Sequence, residues 1–213
     1  MSEDPEGISP GGNRQAEGLV VNARAEARAR TAKQSEVVNA KRNSASENRQ
    51  GEALVVTWEE LLARAGCDSR VIAHARAVTA LALCFTGSPL ADRELVRAGA
   101  MLHDIGRGST HGVAHAQRGA EVARSFGLDP AIVAIIERHI GAGLTADECS
   151  LVRLVPRDCV PVTLEEKIVA NADNLVHGSR VASIEDTLGG AIGLKKRIRR
   201  RIYRLYLEME AFR

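Results

Sequence analysis

Helix-start signals punctuate this chain from residue 57 onward, and they constrain its fold more than any other feature. Thr57-Trp58-Glu59-Glu60, Thr145-Ala146-Asp147-Glu148 and Thr163-Leu164-Glu165-Glu166 each have capping-box form, a hydroxyl followed three residues later by glutamate. Asp68 and Asp92 stand as caps ahead of further segments, and Asp129-Pro130 is a cap followed by proline at the first helical position. Behind these signals the apolar residues recur at helical spacing: Val71, Ala75, Val78, Ala82 and Phe85; Leu95, Ala98, Met101 and Leu102; Ile132, Ile135 and Ile136. Gly66 and Gly127 mark helix ends. A helix is expected from about Val113 to Ser125, a short segment from Ser183 to Gly189-Gly190, and a last helix from about Ala191 to the C-terminus. Leu151 to Val162 carries two prolines and reads as an irregular connection. No period-2 apolar alternation of strand length stands out, so the expected fold is all-α, a compact helical bundle.

Residues 1–50 contrast with the rest. They hold no aromatic residue, and outside alanine their apolar residues are only Met1, Ile8, Leu19, Val20, Val21, Val37 and Val38. Such a stretch cannot bury enough surface to offset about 1–2 kcal/mol per residue of backbone ordering entropy. It reads as a flexible tail ahead of a folded domain over 51–213, with a core at 55–180 and a basic amphipathic helix at 191–213. The whole chain is 45% hydrophobic and 26% charged, which is globular, and its net charge of +2 is too balanced for a nucleic-acid coat. Aromatics make up only 3%, so aliphatic side chains must build the core. Cys67, Cys84, Cys149 and Cys159 are scattered without a C-x-x-C pair, as expected of free thiols in a reducing compartment. The longest apolar run, Ala77 to Phe85, falls far short of the roughly 18–20 residues of a membrane span. The opening residues lack the basic and apolar regions of a secretion signal. A cytoplasmic protein that does not enter a membrane is the expectation.

The histidines all lie in the helical part and sit beside other ligand types. His74 is in mid-helix; His103-Asp104-Ile105-Gly106 closes a helix and enters a glycine-rich loop with Gly108 and Gly112; His111 and His115 are four apart, which on a helix gives a shared face. His139 falls at a helix end before Gly141 and Gly143, and Asp173 lies among the apolar residues of Val169-Ala170-Asn171-Ala172-Asp173-Asn174-Leu175. Twenty-eight residues separate His74 from His103, and 68 separate Asp104 from Asp173. This ordered pattern resembles the HD-domain superfamily of metal-dependent phosphohydrolases, in its HDIG form. The likeness spans about residues 55–180 and is closest to small stand-alone proteins of archaeal type, on HDIGR, HGVAHAQRGAE, IIERHIGAG and EEKIVANADNLV.

The chemistry of the residues agrees with that resemblance. Imidazole and carboxylate together suit a borderline divalent ion such as Fe, Mn, Co, Ni or Zn, and the lack of a cysteine cluster disfavours a structural zinc site. The resemblance implies that His74, His103, Asp104 and Asp173 hold a first metal, and that His115 and His139 serve a second with Asp104 as the bridge. His115 is preferred over His111 because it precedes Gly119 by four residues, as the family's extra histidine commonly does; His111 is left as a second-sphere donor or substrate contact. Arg107 follows the motif where the family most often has lysine and, with Lys167, is a candidate to neutralise phosphate. Lys167 has a simpler reading as a surface residue paired with Glu165 or Glu166. Gly106, Gly108 and Gly112 fit either a loop that lets backbone approach a ligand or plain turns.

By resemblance the chain is expected to be a metal-dependent phosphohydrolase carrying one or two divalent ions. Attack by a metal-bound hydroxide would cleave a phosphomonoester or a (cyclic) phosphodiester of a small molecule or nucleotide, a pterin cyclic phosphate among them. Asp104, Arg107 and Lys167 are the candidate catalytic residues. A di-iron oxygenase of HD type and a non-catalytic RNA- or nucleotide-binding module with a vestigial metal are the alternatives. The C-terminal run Lys195, Lys196, Arg197, Arg199, Arg200, Arg201 and Arg204 lies over an apolar stripe of Leu194, Ile198, Ile202, Leu205 and Met209. It reads as a docked helix with a solvated basic back, or as a weak RNA contact.

Overall fold

The computed structural model of the chain describes residues 56–213; the segment 1–50, expected to be a flexible tail, lies outside them. The capping signals do what their chemistry predicts. Thr57 and Glu60 form a reciprocal capping box that opens α1 (Trp58–Arg64). Asp68 accepts from the amides of Arg70 and Val71 at the start of α2 (Ser69–Ala82), and Asp92 accepts from Glu94 and Leu95 at the start of α3 (Arg93–Leu102). A 3₁₀ turn, Ile105–Gly108, leads toward α4 (His115–Ser125). Asp129 caps α5 (Pro130–Arg138), and the boxes of Thr145 and Thr163 open α6 (Ala146–Leu151) and α7 (Leu164–Asn174). The chain closes with α8 (Ile184–Gly190) and α9 (Lys196–Glu210). Each side-chain cap satisfies amides that the helix itself leaves without partners, worth about 1 kcal/mol apiece.

The core is aliphatic, as the scarcity of aromatics requires. One cluster joins Val78, Phe85, Val96, Ile168, Val169, Ile202 and Met209, and so packs α2, α3, α7 and α9 together. A second joins Leu62, Ala98, Met101, Leu102, Ile105, Ile132 and Ile136 from α1, α3, the 3₁₀ turn and α5. Helix α3 serves both, with Val96 and Ala100 on one side and Ala98, Met101 and Leu102 on the other. Each fully buried Leu, Ile or Val contributes about 1.5–3 kcal/mol relative to exposure.

Four details differ from the sequence expectations. Helix α4 begins at His115 rather than Val113, so His111 lies in a bend before the helix and the two histidines share no helical face. Helix α9 begins at Lys196 rather than Ala191, because a turn containing Gly193 follows the end of α8 at Gly190, and this leaves Leu194 outside the helix and 46% exposed. Between α7 and α8 the chain makes a small antiparallel hairpin, β1 (Val176–His177) with β2 (Arg180–Val181), whose two-residue strands are too short for any alternation to register. Two of the three glycines of the 105–112 region are accounted for by packing. A Cβ on Gly106 would strike the His115 carbonyl and the Gly119 amide, and one on Gly108 would strike the Ala65 carbonyl. These two glycines let the turn lie directly on α4 and on the end of α1.

Replacing Gly106 therefore tests how tightly the turn is seated. Gly106→Ala is expected to lower unfolding free energy by at least about 2 kcal/mol, in the range of core overpacking. Gly87→Ala, at a position where a Cβ meets nothing within 4 Å, should change it by less than about 0.5 kcal/mol. Urea midpoints of the two variants make the comparison.

Candidate metal centre

Helix ends deliver most of the polar groups at the centre of the bundle. His103 is the C-cap of α3, and Asp104 follows it at φ −96°, ψ 13°, already out of the helix. That change of direction lets two adjacent side chains reach one place, which a helix interior would splay by about 100°. His139 is likewise the C-cap of α5, His115 opens α4, His74 comes from the middle of α2, and Asp173 comes from the last turn of α7.

Every one of the four imidazoles is tethered through Nδ1 to a backbone carbonyl. His103 donates to Ala100 at 2.8 Å, His115 to Gly112 at 2.8 Å and His139 to Ile136 at 2.7 Å, in each case three residues back along the chain. His74 donates to Gly178 at 2.7 Å, in the turn of the β1–β2 hairpin. A carbonyl can only accept, so Nδ1 carries the proton and the ring presents its second nitrogen, Nε2, to the interior. This is the arrangement that orients metal-ligating histidines. At the α3 and α5 ends the same bond also satisfies a carbonyl that the helix terminus leaves free.

The Nε2 atoms converge on the two carboxylates. Asp104 turns its oxygens to opposite sides. Oδ2 lies 3.9 Å from His74 Nε2 and 3.7 Å from His103 Nε2, while Oδ1 lies 3.0 Å from His115 Nε2 and 3.7 Å from His139 Nε2. Asp173 Oδ1 is 3.0 Å from His74 Nε2 and 3.3 Å from His103 Nε2. His115 and His139 face each other, Nε2 to Nε2, at 2.9 Å. Three overlapping groups of donors could each hold an ion: His74, His103 and Asp104; His103, His139 and Asp173; Asp104, His115 and His139.

Burial makes this arrangement electrostatically demanding. His103, Asp104, His115 and His139 are shut away from solvent, while His74 and Asp173 reach it in part. His103 Nε2 has no hydrogen-bond partner, and neither does Asp104 Oδ1, which lies 3.0 Å from His115 Nε2, a nitrogen of a ring whose proton is on Nδ1. Two buried polar atoms left open, and two imidazole nitrogens facing each other, are the features that a shared cation would resolve. In the protein alone the charges adjust among themselves. Burial opposes charge on His103, but the Asp104 and Asp173 carboxylates outweigh it and raise its pKa to about 9. Burial, reinforced by charge on His103, pushes His139 down to about 3. Burial also works against the charges of Asp104 and Asp173, yet the surrounding histidines hold both carboxyls well below the usual carboxylate range.

The remaining expected residues fall into three situations. Arg107 Nε donates to Asp104 Oδ2 at 2.8 Å, and its Nη1 donates to the His111 carbonyl at 3.2 Å. Arg107 thus braces the central carboxylate from the solvent side while remaining about one-third exposed. His111 offers that carbonyl, and its side chain is exposed in the bend before α4. Lys167 is not brought to the cluster, which corrects its place among the candidate catalytic residues. Its ammonium pairs with Glu208 on α9 at 2.7 Å, whereas Glu166 is taken by Arg138 and Glu165 by the Asp92 amide. Two contributors carry no signal in the sequence. The Gly178 carbonyl holds His74, and Asn174 donates to the Gly141 carbonyl at 2.8 Å, fixing the loop that leaves His139.

Comparison with known proteins places this geometry in context. The family model of the HD domain matches residues 71–177. A protein of uncharacterised function from Methanocaldococcus jannaschii is 47% identical over 128 residues, covering 57% of this chain and 75% of that protein. A tRNA (cytidine(56)-2'-O)-methyltransferase from Picrophilus torridus is 42% identical over 128 residues, covering 60% of this chain. The match takes in 38% of that enzyme, so the chain spans well under half its length. Among solved structures, the HD domain of the L. monocytogenes phosphodiesterase PgpH, in complex with cyclic-di-AMP, is 18% identical with a TM-score of 0.46 over 70% of this chain and 93% of that one.

The opposite pKa shifts of two neighbouring histidines can be read directly. At pH 7 in protein stripped of metal, His103, raised to about 9, should be doubly protonated, and His139, lowered to about 3, should be neutral with its proton on Nδ1. Imidazole nitrogen-15 shifts across a pH series check both assignments, and a neutral His103 at pH 7 would contradict the charge distribution described above.

Proposed function

We propose that this chain, which belongs to the HD-domain family, is a metal-dependent phosphohydrolase acting on a phosphomonoester or phosphodiester of a nucleotide or other small molecule. The observation that carries this reading is the division of Asp104, one oxygen toward His74 and His103 and the other toward His115 and His139. We assign His74, His103, Asp104 and Asp173 to one divalent ion and Asp104, His115 and His139 to a second. The all-nitrogen and oxygen donor set suits Fe, Mn, Co, Ni or Zn. Such ions, when bound, would lower the pKa of a coordinated water and polarise a phosphoryl oxygen.

The protein's own groups supply orientation and charge balance. The four Nδ1 tethers keep the imidazoles aimed inward before any ion arrives, so little ordering remains to be done on binding. Arg107 fixes Asp104 through Nε, and the exposed remainder of its guanidinium would meet negative charge on a substrate phosphoryl group. The partly open side, where His74, Asp173 and Arg107 reach solvent, is the way in for substrate. A similar segment occurs in a relative named as a tRNA methyltransferase, which supports a nucleotide or RNA as the source of the phosphate ester.

Three sets of measurements test the assignment. Asp104→Ala should abolish both bound metal and phosphate release, whereas His139→Ala should cost the second ion and keep the first. Full metal content in the Asp104 variant, measured by elemental analysis, would reject the site as assigned. A phosphate-ester screen with each candidate ion tests the activity, and oxygen consumption without phosphate release would point instead to the di-iron oxygenase. Because His103 holds a proton at neutral pH in the free protein, binding of a divalent ion at pH 7 should release about one proton from it. Titration calorimetry in buffers of different ionisation enthalpy measures that release.

A further inference from the structure

Helix α9 has a buried apolar side and an exposed side that carries Leu207 as well as cations. Ile202, Leu205 and Met209 are buried in the core, and Ile198 packs against the same cluster. On the opposite side Lys196, Arg200, Tyr203 and Arg204 are exposed, and at 100° per residue they fall within an arc of roughly 100°. Two other arginines of the helix have structural partners. Arg197 and Arg201 both pair with Glu148, and Arg201 also donates to the Gly143 carbonyl. Lys196, Arg200 and Arg204 have no ion pair among the described residues, in contrast to Arg197, Arg201 and Lys167 nearby. The sequence carries no acidic residue between Asp186 and Glu208. An unpaired cationic row of this kind stands out on a chain whose net charge is only +2.

The row also contains an aromatic platform. Tyr203, 44% exposed, stacks against Tyr206 with ring centroids 6.4 Å apart and planes inclined by 23°. Tyr206 packs against the core, so the outer ring is held by an anchored one. Cations spaced one helical turn apart and a fixed aromatic face among them are the elements of single-strand recognition: phosphate neutralisation along the backbone and stacking of an unpaired base. A membrane surface would need the apolar face of the helix, and that face is already buried in the protein. Unpaired strands are the ordinary state of RNA loops and ends, and are transient in DNA.

We propose that the exposed face of α9, comprising Lys196, Arg200, Tyr203 and Arg204, is a docking surface for single-stranded RNA. The pairing of Arg201 with the Gly143 carbonyl fixes this surface to the loop that leaves His139, so a docked strand lies on an element rigidly joined to the metal centre. Docking is separate from hydrolysis and is read without turnover.

Fluorescence anisotropy of the full chain with a labelled oligouridine provides the test. Wild-type protein is expected to bind with an affinity that falls as salt rises. The combined variant Lys196→Gln, Arg200→Gln, Arg204→Gln should bind at least about tenfold more weakly and lose about 2 from the slope of log affinity against log salt, at roughly 0.7 per phosphate contact to a single strand. Tyr203→Ala should weaken binding while leaving the slope alone, and Tyr203→Phe should restore it. The melting temperature and metal content of each variant should match wild type, which separates loss of docking from loss of fold or of the proposed hydrolytic site. No wild-type binding at low salt, undiminished binding by the triple variant, equal affinity for a duplex of the same length, or stronger binding to phosphatidylserine vesicles would each overturn the proposal.

Discussion

Two carboxylates and four imidazoles share a largely buried volume at the middle of this bundle, and the rest of the structure is arranged around the cost of keeping them there. Burying a charge without compensation is prohibitive, and a network satisfied only in part is worse than an apolar core. Asp104 is met by His74 and His103 on one side, by His115 and His139 on the other, and by Arg107 from solvent. Even so, His103 Nε2 and Asp104 Oδ1 keep unmet hydrogen-bonding capacity. Unmet polar groups are thus gathered at one point, where a shared divalent ion could satisfy them.

Meeting that demand requires the helices to end in the right place. The α3 terminus supplies His103 and Asp104, the α5 terminus supplies His139, and the start of α4 supplies His115. These ends approach closely only because small residues stand where they cross. Gly106 and Gly119 let the 3₁₀ turn lie on α4, and Gly99 accommodates the Ile135 side chain between α3 and α5. The packing glycines and the polar cluster are thus two aspects of one requirement, since a shift of about 1 Å in any helix end would move an imidazole out of reach of its carboxylate.

Much of this was legible in advance because it depends on neighbours in the chain. Capping boxes at Thr57, Thr145 and Thr163 are local chemistry, and each forms as expected. Three of the four histidine tethers also span just three residues, so His103, His115 and His139 carry their orienting carbonyls with them. The structure departs from the sequence pattern where the outcome depends on distant partners or on a helix boundary. Lys167 is a candidate to neutralise phosphate or a surface partner of Glu165 or Glu166, and α9 presents Glu208 to it instead. His111 and His115 have helical spacing, but the helix starts at the second of them. The glycine-rich stretch admits a ligand loop or plain turns, and at Gly106 and Gly108 the room a side chain would need is taken by backbone from other elements.

The amino-acid sequence on its own determined the helices, the start points of those opened by a side-chain cap, and the order of histidines and aspartates that identifies the family, because caps, periodicity and motif spacing are written in consecutive residues. Tertiary structure alone decided the allocation of Asp104's two oxygens, the capture of His74 by the Gly178 carbonyl 104 residues away, the bracing of Asp104 by Arg107, and the split of the α9 arginines between Glu148 and solvent. The physical reason is common to all of these. A backbone carbonyl has no residue identity to read, and the direction of a carboxylate or guanidinium is set by whichever charged groups the packed helices bring within a few ångströms of it.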